Sequence, residues 1–340
     1  MQLFELTRAL VDIESVTAGE KAVGDFVYEY LRPLASRHGG QVERMEVEPE
    51  RFNVFACWGR PEVVLSTHLD TVPPFFPSRE DDEHIWGRGA CDAKGILAAM
   101  IKAVEGLLAE GGRNLGVLFL VGEERNSAGA RCASLQPRGA RYLINGEPTE
   151  NKLAVGSKGA LRLEVEARGK MAHSAYPELG ESAIDKLIDA LARLRSFPWP
   201  RDPVLGEATC NIGTISGGRA PNVIPDLARA EVMIRLVSSS QDLFEQVRAA
   251  LGPDIQLREV LHMPPVRLGT VPGLPTTVVK FTTDIPCLVN WGEPFLLGPG
   301  SIHTAHTEEE RVEKKQLVEA VGLYQHVVNE LQGRSDATQH

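Results

Sequence analysis

Residues 115–121 form a run of seven without one polar side chain, and the run stops at Gly122-Glu123-Glu124. A short, uninterrupted apolar run reads as a strand buried on both faces. Such a strand belongs inside a sheet that is covered on each side. The device recurs along the chain. Residues 63–67 lead into His68-Leu69-Asp70, and residues 142–144 precede Gly146-Glu147-Pro148. Between them, Ile96, Leu97, Met100, Ile101, Val104 and Leu108 mark a helix directly after Asp92 and Gly95. Strands that alternate with helices give an α/β fold with a mixed or parallel sheet. In such sheets the crevice outside the carboxyl ends of the strands is the usual site.

The remaining segments divide the chain. Residues 3–13 and 20–34 read as helices, the second ending near Pro33. From about Gly159 the pattern changes to strand 161–167, helix 184–194, strands 208–215 and 228–236, helix 241–251 and strand 255–261. That order, β-α-β-β-α-β, is the ferredoxin-like split unit. After Pro264-Pro265 the chain returns to apolar, strand-like pieces at 287–290 and 295–297. A last helix is expected to start at the capping box Thr307-x-x-Glu310, with a stripe of Leu317, Val321, Tyr324, Val328 and Leu331. The expected organisation is a discontinuous domain of residues 1–158 and 263–340, with residues 159–262 inserted into it.

Composition narrows the partners. With 340 residues, 43% hydrophobic and 24% charged, two globular domains are expected. A net charge of −10 argues against nucleic acid or an anionic membrane as a main partner, since both need a basic surface. It leaves room for an anionic amino-acid substrate, because bound metals and local arginines dominate the field inside a site. The five cysteines are scattered and form no C-x-x-C pair, so a disulfide framework is not expected and a reducing compartment suits the chain. Residues 1–15 hold Glu5, Asp12 and Glu14 and lack a signal pattern. No run approaches the roughly 18 apolar residues of a spanning helix. A cytoplasmic location is expected.

His68, Asp92, Glu124, Glu147 and His306 all lie where apolar runs give way to Gly, Pro or polar residues. As a set they suit two divalent ions about 3.5–4 Å apart with one bridging carboxylate. Zinc takes imidazole and carboxylate ligands and leaves a position open for water. Taken singly, each residue has an ordinary reading. A strand-end histidine is usually solvated, and Asp92 before a helix is usually an N-cap. Glycines at 87, 89 and 95 suggest a nucleotide turn, but the third glycine of G-x-G-x-x-G would fall on Asp92. Glu123-Glu124 is the most telling pair, because adjacent carboxylates at the end of a buried strand repel unless a cation is near.

The order of Ser66-Thr-His-Leu-Asp70, Arg88-Gly-Ala-Cys-Asp92, Gly122-Glu-Glu124, Gly146-Glu-Pro-Thr149 and Thr304-Ala-His306 resembles the zinc aminoacylases, acetylornithine and succinyl-diaminopimelate deacetylases, and related carboxypeptidases. The resemblance runs from about Leu6 to Leu331. It implies a mixed-sheet zinc-hydrolase domain with an inserted ferredoxin-like lid and dimerisation domain. It implies that His68, Asp92, Glu124, Glu147 and His306 bind two Zn²⁺, with Co²⁺ a possible substitute, and that Asp92 bridges. His303 competes for the last role, and the phrase around Leu297-Gly-Pro-Gly300 assigns it to His306. Glu123 would be the general base, and the Asp70 carboxylate would hold the second imidazole nitrogen of His68. His173, in Met171-Ala-His-Ser174, would reach the opposite subunit of a homodimer and polarise the scissile carbonyl. Asn222 and Arg235 match substrate-binding positions, and an arginine fork suits a carboxylate. The implied reaction is deacylation of an N-acyl amino acid such as acetylornithine or acetyl-lysine. A dipeptidase or carboxypeptidase would use the same centre on short peptides, and a non-catalytic binding protein would have lost the base or a ligand.

Overall fold

The computed structural model describes residues 1–238 and 240–337. The chain divides into two compact units. The first holds Met1–Val155, Leu268–Thr277 and the stretch from Thr283, and the second holds Gly156–Arg267 and Val278–Thr282.

The first unit opens with helices α1 (Leu3–Val11) and α2 (Lys21–His38), strands β1 (Gln41–Glu48), β2 (Arg51–Trp58) and β3 (Val63–His68), and helix α3 (Lys94–Ala109). It continues with β4 (Leu115–Leu120), α4 (Ala128–Ser134) and β5 (Tyr142–Asn145). The second unit contributes β6 (Gly159–Arg168), α5 (Ala183–Arg195), β7 (Thr209–Gly217), β8 (Leu227–Leu236), α6 (Ser240–Leu251) and β9 (Ile255–Met263). The chain then completes the first unit with β10 (Glu293–Leu296) and α7 (Lys314–Ala337).

The main sheet has the order β1-β2-β4-β3-β5-β10. Strands β4, β3, β5 and β10 are parallel, while β1 and β2 run antiparallel at one edge. The sheet is therefore mixed. β4 shows why its sequence has no polar break. Leu115, Val117 and Phe119 face a core shared with α2, α3 and α7, and Leu118 and Leu120 face a second core with Phe55, Ala130 and Trp291. A strand packed on both faces has no solvent side on which to place a polar residue. In the second unit the sheet order is β7-β8-β6-β9, all antiparallel, with α5 and α6 packed on one face. Among the described residues no helix is long and apolar enough to cross a membrane. The five cysteines are free.

Three local expectations are corrected. Helix α2 does not stop near Pro33 but runs through it to His38. Pro33 is exposed while Leu34 and Ala35 are buried, so the missing N–H falls on the solvent side and packing carries the helix onward. The stop is Gly39, whose φ of 68° suits glycine. Residues 287–290 are not a strand. A short 3-10 turn at Ile285–Cys287, with Pro286 unable to donate to a ladder, folds Leu288 and Trp291 onto the sheet. The expected capping box also fails, because Arg311–Glu313 forms a short strand against His84–Trp86 and α7 begins only at Lys314.

Candidate metal centre and active site

The parallel strands end level with one another. His68 of β3 stands opposite Leu120 of β4, and Ser66 opposite Asn145 of β5. The residues that follow these strands, Asp70, Glu123, Glu124 and Glu147, therefore leave the same edge of the sheet.

His68 is buried, with Nε2 2.9 Å from Asp92 Oδ1 and Nδ1 2.9 Å from the Asp70 backbone carbonyl. The Asp70 carboxylate lies farther off, with Oδ1 3.7 Å from Nδ1. The backbone carbonyl makes the closer contact, and the carboxylate stays within ion-pair reach of the imidazole. The carboxylate also serves the neighbouring turn. Its Oδ1 accepts from the amides of Gly122 (3.0 Å) and Glu123 (3.1 Å), and its Oδ2 from the Glu124 amide (3.2 Å) and the Thr17 hydroxyl (2.8 Å). Gly122, at φ 81°, lets three successive amides converge on one side chain. Burial would raise the Asp70 pKa, but the nearby imidazole, hydroxyl and amides hold it below the usual carboxylate range.

Asp92 sits between the two histidines. Its Oδ2 is 3.4 Å from His306 Nε2, which is itself 2.9 Å from Glu124 Oε1. His68, Asp92 and Glu124 each offer a ligand atom within 4.8 Å of the others. His306 takes a left-handed backbone at φ 62°, and contact with Asp92 and Glu124 raises its pKa to about 10. His303 and His306 are both exposed, and it is His306 whose imidazole contacts Asp92 and Glu124. Glu147 is 4% exposed, and its Oε1 has no hydrogen-bond partner. Burial, then the charge of Asp92, pushes Glu147 well above the usual carboxylate range. Burial and then Glu147 do the same to Glu123. Glu124 is raised by burial, with His306 pulling the other way.

Asp284, which the sequence did not single out, adds a further buried carboxylate. It is 1% exposed, neither oxygen makes a well-formed hydrogen bond, and burial raises its pKa to about 7. Its charge acts on both Glu123 and Glu147. Nothing in Thr282-Thr283-Asp284 distinguishes it from a loop aspartate.

Carboxylates this crowded repel and resist ionisation unless cations neutralise them. The donors are imidazole nitrogens and carboxylate oxygens; the buried Cys91 thiol is engaged by the Ser301 carbonyl instead. With the orphaned Glu147 oxygen and the imidazoles aimed at the oxygens of Asp92, the set fits divalent ions of the zinc or cobalt type.

The remaining expected residues lie in the second unit. His173 is exposed, and its short strand Ala172–His173 pairs with Val223–Ile224. The Ser174 amide donates to the Asn222 carbonyl at 3.0 Å, so His173 and Asn222 are neighbours on one β-ribbon. Arg235 lies in β8 between Thr209 of β7 and Ala160 of β6. Burial lowers its pKa, and among the described residues no hydrogen bond or ion pair reaches its guanidinium.

The comparisons agree with this architecture. Residues 64–330 match the Peptidase family M20/M25/M40. A probable carboxypeptidase of Aspergillus niger is 39% identical over 371 residues, covering 94% of this chain and 88% of that protein. The aminopeptidase PepT of Bacillus cereus superposes with a TM-score of 0.80 at 19% identity, covering 97% of this chain and 98% of that one. The YXEP protein of Bacillus subtilis, described as a dinuclear metal binding peptidase from the M20 family, superposes with a TM-score of 0.69 at 18% identity, over 97% of this chain and 96% of that one. This chain is a hydrolase that belongs to the peptidase family M20/M25/M40.

Proposed function

We propose that the chain is a metal-dependent amidohydrolase that cleaves the amide bond of a short peptide or N-acyl amino acid next to a free carboxylate. One observation carries the reading: His68, Asp92 and Glu124 offer ligand atoms within 4.8 Å of one another. In this reading His68, Asp92, Glu124, Glu147 and His306 would hold two divalent ions, and Asp92, in contact with both histidines, would serve both. Zn²⁺ is the favoured metal on ligand chemistry, and Co²⁺ is a substitute. Two such ions, when bound, polarise a substrate carbonyl and make an attacking water more acidic.

The protein's own groups do the rest. Glu123 takes a proton from the attacking water on its carboxylate and passes it to the leaving nitrogen. Asp70 fixes the turn that carries Glu123 by gathering its amides. Arg235, half-buried and without a partner among the described residues, is the proposed fork for a substrate carboxylate. His173 and Asn222 are the proposed contacts to the scissile group. We further propose a homodimer joined through the second unit, in which His173 serves the opposite subunit. Exposed Ile188 on α5 and Ile215 on the open edge strand β7 support that surface.

The sequence pointed first to N-acyl amino acids. The relationship to a probable carboxypeptidase moves the preference to peptides, with deacylation of N-acetyl amino acids as the second reading. Amine release across a panel of dipeptides and of acetyl- and succinyl-amino acids separates them. Dipicolinate treatment is expected to abolish turnover, and added Zn²⁺ or Co²⁺ to restore it. Full activity in metal-free protein would overturn the proposal.

A further inference from the structure

Glu310 was expected to cap a helix, yet α7 begins at Lys314 and the Glu310 side chain turns elsewhere. It is 1% exposed. Its Oε1 accepts from the backbone amides of Gly89 (2.9 Å), Cys91 (3.2 Å) and Asp92 (3.1 Å), and its Oε2 from Arg88 Nη1 (2.6 Å). The Glu310 carbonyl also accepts from the Gly87 amide at 3.1 Å. One residue thus grips the loop from Gly87 to Asp92 at five donors. The same residue lies four positions after His306, on the segment that delivers that imidazole to Asp92 and Glu124.

A buried ion pair is weak evidence of stabilisation, and charge neutralisation of Arg88 requires only one oxygen. The use of the other oxygen on three amides, the last belonging to Asp92, calls for a different explanation. The position of the Asp92 carboxylate is set by its backbone, and Glu310 is what its amide is anchored to. Because Glu310 also belongs to the His306 segment, it holds both sides of the Asp92–His306 contact in one frame. We propose that Glu310 is a positioning residue that locks the Asp92 loop to the His306 segment and so sets the affinity of the metal centre. The inference rests on the proposed metal-binding reading of Asp92 and His306.

The test separates amide anchoring from ion pairing. Arg88→Met with Glu310→Gln removes the ion pair but keeps an oxygen for the three amides. Arg88→Met with Glu310→Leu removes the ion pair and the acceptor and leaves no unpaired charge. Zn²⁺ affinity is measured by competition with a chromophoric chelator, and the Co²⁺-loaded proteins are compared by visible absorption. The glutamine pair is expected within about threefold of wild type. The leucine pair is expected to bind metal about 10–100-fold more weakly, the range for lost outer support of metal ligands, with a changed Co²⁺ spectrum. Equal affinities and spectra in the two pairs would overturn the inference while leaving the metal centre standing. Absence of metal binding in wild type would overturn both. Glu310→Asp covers the case of a leucine pair that does not fold. It keeps the charge for Arg88 but shortens the reach to the amides, so weaker metal binding is expected, and wild-type affinity would count against the inference.

Discussion

Asp70 and Glu310 solve the same problem at two places. Each is a buried carboxylate that gathers three backbone amides of a loop carrying acidic residues of the centre. Neither role was legible from residue spacing, because backbone amides leave no mark in the sequence. The candidate ligands stood out through five motifs in the order of a known family, and the fold gathers His68, Asp92, Glu124 and His306. Asp284 did not stand out, since an aspartate in a polar loop is commonplace and only its burial sets it apart. The division of labour between the adjacent glutamates gives a test at this scale. As the proposed base, Glu123 keeps its size but loses its basicity in Glu123→Gln, so turnover is expected to fall by ~10²–10⁴ while metal content stays near wild type. Glu124→Gln removes half of the anionic character that His306 meets, and metal occupancy is expected to fall. Elemental analysis beside turnover checks both. A metal-depleted Glu123→Gln with a fully loaded Glu124→Gln would exchange the two roles.

At the scale of elements, burial decided what could be read. β4 was plain because both its faces are packed, and α3 because its apolar stripe is long. The β1–β2 hairpin escaped notice. β1 has only Met45 buried, and β2 carries Arg51 and Asn53 among its buried residues. Those polar groups are satisfied by Glu20, Glu48, the Gly129 carbonyl and the Val121 amide, partners distant or ambiguous in sequence. The short strand Arg311–Glu313 was hidden by a convincing capping signature, since Thr307 and Glu310 fit the box but their side chains are used elsewhere. Helix α2 shows the reverse case, a breaker overruled by packing. Pro33 forfeits one hydrogen bond in an interior turn, while Leu31, Leu34 and Ala35 keep the helix seated on the core. A proline in a helix interior costs about 3 kcal/mol relative to alanine, and its stiffening of the unfolded chain returns up to about 1 kcal/mol. Pro33→Ala is therefore expected to stabilise the first unit by about 2 kcal/mol. A rise in the urea midpoint at unchanged slope reads this directly. An unchanged midpoint would show that the helix has already relaxed around the proline.

For the whole molecule, the order of secondary structure was enough to announce a mixed α/β sheet and a β-α-β-β-α-β segment, because each has its own periodicity. What two copies of the chain do together is a separate matter, and the proposed homodimer supplies the decisive experiment. In that proposal His173 of one subunit completes the site that contains Glu123 of the other. The surface around His173 is exposed, as are Ile188 and Ile215 of the same unit, and closed two-fold dimers are the commonest homo-oligomers. His173→Ala and Glu123→Gln should each be nearly inactive alone. Mixed under conditions that exchange subunits, they form heterodimers in which one site lacks both residues and the other has both intact. By two-fold symmetry, activity should return to about half of the wild-type value per heterodimer. Native mass spectrometry of mass-tagged chains establishes exchange independently of activity. If exchange is complete and activity stays absent, His173 does not act across the dimer.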